Sequence, residues 1–237
     1  MSRSAYREGP APEGFGFACV WTHARAAGDA PFTQLVVPDG CVDVVWSDWD
    51  GQVIVAGPDT GPRPAVVPAG GRMAGVRFRP GLAAPVLGVP VDAVRDGRVP
   101  LAELWGGAAD ALAERLGSAP DPVEVLVRAV GERVRASGVP ADPLAPALVE
   151  ALAGCSVRDA AARLGVSERQ LRRRAIAAFG YGPKTVQRVL RFQRALRLVR
   201  AGVPAAEAAF AAGYADQAHL AHEVRALAGV TLGELVG

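Results

Sequence analysis

The hydrophobic pattern of this chain changes character twice. Over residues 16–79 apolar residues come in short runs, "GFACVWTHAR" (16–25), "TQLVVP" (33–38), "CVDVVW" (41–46), "QVIVAG" (52–57), "PAVVPA" (64–69) and "RMAGVRFR" (72–79). These runs are rich in Val, Trp and Phe and are bounded by Pro, Gly or Asp, which predicts strands. "PDGC" and "SDWDG" supply turns between them. Strands this short and this closely spaced predict a small β-sandwich or barrel. After Pro80 the spacing turns helical, with short helices at 81–88, 99–106 and 107–117 and a longer amphipathic one at 120–137. Val123, Leu126, Val127, Val130 and Val134 make a stripe on the last. "GVPADP" (138–143) then breaks the pattern, as a joint between domains would.

Beyond the joint every segment has helical spacing. Asp142 can cap a helix with Pro143 at its first position, running to about Ala153. "PKTVQRVLRFQRALRLVRAG" predicts a long helix from Pro183, closed by Gly202, with Val186, Val189, Leu190, Leu196 and Val199 inside. Lys184, Arg188, Arg191, Arg194, Arg197 and Arg200 fill its other sides. The expected class is α+β: a β-rich sensor domain over 1–100, a helical connector over 101–138 suited to dimerisation, and an all-α domain over 139–237.

The all-α part contains a repeat. "SVRDAAARLGVSERQL" (156–171) lies over "PAAEAAFAAGYADQAHL" (204–220), matching Ala161 to Ala209 and Gly165 to Gly213. Each copy is helix, glycine turn, helix. A small residue four before the glycine lets two helices cross closely, and the glycine accepts the positive φ of the turn. Ser167 and Asp216 cap the second helices, and Gln170 completes a capping box with Ser167. Two helix-turn-helix units joined by a long helix follow.

On a wheel of about 100° per residue, Leu171, Ala175 and Ala178 share one face of the first unit's second helix. Arg169, Arg172 and Arg173 lie opposite, near its start, and Arg174 lies on the flank within reach of phosphate. Recognition helices present such outer N-terminal residues to major-groove edges, where arginine holds guanine O6 and N7. An ordinary solvated face is the alternative for any arginine run. The duplicated turn weighs against it.

The stretches "VRDAAARLGVSERQLRR", "GYGPKTVQRVLRFQRALRLVRAG" and "AGYADQAHLAHEVRALAGVTLGEL" resemble the DNA-binding domain of the AraC/XylS transcription regulators over about 95 residues. The resemblance implies a cytoplasmic, sequence-specific regulator bound to double-stranded DNA. It puts base-reading positions at Arg169, Arg172 and Arg173 in the first unit. In the second they fall at Gln217, Ala218, His219, Ala221 and His222. Two departures stand out. Ala175 replaces a usual aromatic, leaving Ile176 or Phe179 to fill the core, and His222 replaces a usual arginine. Before the module, "VVPDGCVDVVW", "VAGPDT" and "GVRFRPG" resemble a partner domain, and the wider family often has a cupin-like effector-binding barrel there.

Charge agrees with this division. Residues 143–237 carry thirteen Lys and Arg against seven Asp and Glu, while residues 1–142 carry thirteen against seventeen. Among the strands, Trp21, Trp46 and Trp49, with Arg77 and Arg79, would suit a cavity for a small planar or anionic ligand. The alternative is that the tryptophans are core and the arginines pair with Asp39, Asp43 or Asp59. A regulator without a small ligand, whose N-terminal domain binds protein, is the second functional reading. RNA polymerase and a second copy of the chain are the candidate protein partners.

Other chemistries find little support. Neither G-x-S-x-G nor a phosphate-binding G-K-[ST] loop occurs, so the chain is not read as an enzyme. Cys19, Cys41 and Cys155 form no C-x-x-C pair and read as buried reduced thiols; the alternative for Cys41 is a reactive thiol beside His23. One histidine in the first half is too few for a metal cupin, and His219 with His222 lacks a third ligand, so no metal or cofactor is expected. The polar start, Met1 to Gly9, and the lack of any run near 18 apolar residues point to a soluble chain without membrane partners.

Overall fold

A computed structural model describes residues 6–236; the first five residues of the polar start lie outside them. The described residues form eight strands, six of them from the apolar segments. They are β1 (Arg7–Gly9), β2 (Phe17–Ala24), β3 (Phe32–Val36), β4 (Asp43–Ser47), β5 (Val53–Ala56), β6 (Arg63–Val67), β7 (Arg72–Phe78) and β8 (Arg98–Pro100). Six make an antiparallel sheet in the order β1-β2-β7-β4-β5-β8, and β3 pairs with β6 as a separate ribbon. The edge strands β1 and β8 carry no apolar run, so the pattern did not predict them.

Alternation sorts the sheet's side chains into two faces. Val44, Trp46, Val53, Val55, Val76 and Phe78 are buried together on one face. The helices α1 (Ala84–Leu87), α2 (Leu101–Trp105), α3 (Gly107–Ser118) and α4 (Pro122–Ala136) contribute to this same core. Asp121 caps α4, and Leu126 and Val130 of its apolar stripe are fully buried, each contributing roughly 1.5–3 kcal/mol. The helices read as a connector therefore share a core with the sheet.

The C-terminal part comprises α5 (Ala145–Gly154), α6 (Val157–Arg163), α7 (Glu168–Phe179), α8 (Pro183–Arg200), α9 (Ala205–Ala212), α10 (Gln217–Ala228) and α11 (Leu232–Val236). The helix expected to open at Asp142 begins instead at Ala145. Asp142 Oδ1 accepts the Leu144 N–H at 2.9 Å, making a turn ahead of the helix. Inside α8 the buried set includes Phe192 and Ala195, whereas Leu190 and Val199 are half-buried. Phe192 belongs to a second-unit core with Leu196, Leu220, Val224 and Leu227.

The N-terminal part is docked on both units. Leu82 packs into the first unit's core and Val37 into the second's. Arg95 donates to the Gly180 carbonyl at 3.1 Å, at the C-terminal end of α7. On α8, Gln193 Nε2 donates to the Pro38 carbonyl at 2.7 Å. The buried Tyr181 hydroxyl sits against Gly40, and Gly229 at the end of α10 sits against Pro62. Among the described residues, no helix is long and apolar enough to cross a membrane.

Candidate nucleic-acid interface

Each helix-turn-helix unit is built as its local chemistry demands. Gly165 and Gly213 turn the chain at φ +65° and +86°, where a side chain would be strained. Ala161 and Ala209, four residues earlier, are buried at 3 % and 0 % exposure, so larger side chains have no room. Ser167 and Gln170 form a complete capping box at the start of α7. Asp216 Oδ1 accepts the His219 N–H at 2.7 Å at the start of α10.

Leu171, Ala175, Ala178 and Phe179 anchor α7. Arg169, Arg172 and Arg173 are exposed on its outer side, and no carboxylate lies within ion-pair reach of them among the described residues. Arg174 is different. Its Nη1 donates to both Asp142 carboxylate oxygens, at 2.7 and 2.8 Å, so it clasps α7 to the joint instead of standing free for phosphate. On α10, Gln217, Ala218, His219, Ala221 and His222 are all exposed. The His219 ring stands edge-on to Tyr214, and its Nδ1 accepts the Ala215 N–H at 3.4 Å. A neutral imidazole accepting at Nδ1 carries its proton on Nε2, leaving a donor on the other side of the ring.

Of the five residues placed at a ligand cavity, Trp21 and Arg77 meet at Asp43, and the other three lie apart from them. Trp46 is buried in the helix-covered core, on the opposite sheet face from Trp21. Trp49 is 41 % exposed in the turn after β4, and Arg79 is exposed beyond the end of β7. Trp21 lies over Gly75, where a Cβ would meet its ring at 2.2 Å, and its Nε1 donates to Asp43 at 2.9 Å. Arg77 pairs with Asp43 at 3.1 Å and lies 3.7–3.8 Å from Glu8 and Asp39. Burial pushes the Asp43 carboxyl up from its ordinary range, against the pull of Arg77. The sheet thus satisfies its inward arginine with carboxylates, the alternative expected for it. Burial, then Asp39, push the Cys41 thiol well up, which disfavours the thiolate a reactive cysteine needs.

Residues 160–236 match the family described as a helix-turn-helix domain, and residues 17–100 match a domain of unknown function (DUF6597). The chain accordingly carries an AraC-type helix-turn-helix domain at its C-terminal end, in an α+β fold. Solved structures of ToxT from Vibrio cholerae are similar to it. One has 9 % identity, covering 93 % of this chain and 97 % of that one, with a TM-score of 0.48. Another, of wild-type ToxT with bound unsaturated fatty acid, has 9 % identity, covering 90 % and 96 %, with a TM-score of 0.44. No curated protein matches the chain.

Within the AraC-type domain, Phe179 is buried in the same core as Ala175, at 1 % exposure, whereas Ile176 is half-buried. Sequence reasoning overlooked the residues that join this domain to the sheet. Arg95, Gln193 and Tyr181 stand in no motif, and their partners lie 85, 155 and about 140 positions away in the chain. Only tertiary contact reveals them.

Proposed function

We propose that this regulator reads two neighbouring major grooves, with Arg169, Arg172 and Arg173 of α7 in one and Gln217, His219 and His222 of α10 in the next. The observation carrying this reading is that the N-terminal domain reaches the C-terminal ends of both reading helices, through the Arg95 bond to Gly180 and through Pro62 beside Gly229. Their outer N-terminal residues are left exposed. The eighteen residues of α8 span about 27 Å, close to the ~34 Å between successive major grooves on one side of a duplex. Bending the DNA makes up the difference for a few kcal/mol.

The N-terminal domain acts here as a brace that sets how the two units face the duplex. Its filled sheet core supports control through contact with a protein partner or a second copy of the chain over a small effector held among Trp21, Trp46 and Trp49. Selection of bound duplexes from a randomised pool by the full chain tests the reading. Enrichment of two short motifs centred about 10–10.5 bp apart is expected. Enrichment of a single motif, or of none, would overturn it.

A further inference from the structure

One side of α8 carries four polar side chains at helical spacing, Lys184, Gln187, Arg188 and Arg191. Two are engaged inside the protein. Gln187 Nε2 donates to the Leu152 and Cys155 carbonyls at 3.2 and 2.6 Å, and Arg188 pairs with Glu223. Lys184 and Arg191 have no carboxylate within ion-pair reach among the described residues. Both line a groove of about 300 Å³ that runs from the end of α5, at Gly154 and Cys155, to the turn of the second unit, at Gly213. No acidic residue lines it. The Arg191 guanidinium lies over the Tyr214 ring, 5.1 Å from its centroid, with its Nε buried.

The position of this groove matters more than its size. Gly213 is three residues from Asp216, the cap of α10, so one end lies beside the start of a reading helix. The other end lies beside Ser156, the cap of α6, and the first helix of such a unit crosses the DNA backbone. Gln193, which binds the N-terminal domain, is nine residues from Lys184, or about 180° round the helix. The brace thus sits on one side of α8 and the two cations on the other. A protein that reads two successive major grooves must straddle the phosphate backbone between them.

We infer that Lys184 and Arg191 form a phosphate site in the groove between the two units, gripping the DNA backbone that separates the two major grooves. The inference rests on the two-groove reading. It assigns these residues to affinity and register, without base choice, because phosphates carry no sequence information. Arg191 has the planar donor fork for phosphate oxygens, and Lys184 supplies a point charge.

Anisotropy titrations of the full chain at several salt concentrations test this, using a selected duplex and a random one. K184A should weaken binding to both duplexes by the same several-fold factor. It should also lower the slope of log K against log salt by about 0.9, the value of one phosphate contact. K184E should weaken both further, and R191K should keep most of the binding that R191A loses. Replacing the phosphates between the two motifs with neutral methylphosphonates should weaken wild type and leave the K184A/R191A double variant nearly unaffected. Unchanged affinity and slope in K184A would overturn the inference, as would a loss confined to the selected duplex. Failure of the two-groove reading looks different: the wild-type chain itself would not distinguish the duplexes.

Discussion

Replacing Arg172 and Arg173 together by alanine removes the two outward cations nearest the start of α7. Both side chains are exposed and outside every ion pair of the described residues, and alanine is the best helix former, so the fold loses nothing. The expected stability change is within about 0.5 kcal/mol, or about 2 °C in melting temperature for a chain of this size. Recognition should behave otherwise. Each arginine held bidentately by a guanine contributes ~1–3 kcal/mol of discrimination, so the pair contributes about 2–6 kcal/mol. At about 1.4 kcal/mol per factor of ten, the preference for a selected duplex over a random one should fall by about 30-fold to 10⁴-fold. The assay is a competition gel shift with both duplexes at fixed salt, alongside a thermal melt. Non-specific affinity should fall far less, since base contacts release few counterions. An unchanged preference in a folded double variant would refute the assignment of α7 as a base-reading helix.

Other substitutions test the scaffold. Gly75→Ala would put a Cβ into the Trp21 ring, so it should destabilise the chain by about 1–3 kcal/mol or more in urea titrations. Trp21→Phe removes the indole donor to Asp43 and should cost about 1–3 kcal/mol at neutral pH. That donor supports the charged carboxylate, and burial raises the folded-state pKa of Asp43 above 3.8. The deficit of Trp21→Phe should therefore be smallest in acid, where Asp43 holds its proton, and grow as pH rises through the raised value; a deficit independent of pH would contradict this. Ala209→Leu should overpack the crossing of α9 and α10 by about 1–3 kcal/mol, and footprinting should show protection lost over one motif while the other persists. Arg174→Ala should shift the urea midpoint only slightly, by about 1 kcal/mol or less in stability, because its pair with Asp142 is partly exposed.

Much of this protein was legible along the chain because local chemistry decides it. The alternation in "CVDVVW" and "RMAGVRFR" makes strands, and each lies within the sheet. The small residue, glycine and cap of each helix-turn-helix unit interact within a few residues of one another, so spacing alone places them. The outward arginines of α7 follow from the same periodicity. What period cannot supply is the partner across a face. Trp21 and Trp46 look alike in sequence, yet strand register sends one to the carboxylates beneath Arg77 and the other to the helix-covered core. Arg174 resembles its two neighbours until the joint folds back and brings Asp142 to it. The seat of the N-terminal domain on Gly180, Gln193 and Gly229 depends on contacts between distant segments. Local periodicity orders side chains round one helix or strand; long-range packing alone chooses what each of them meets.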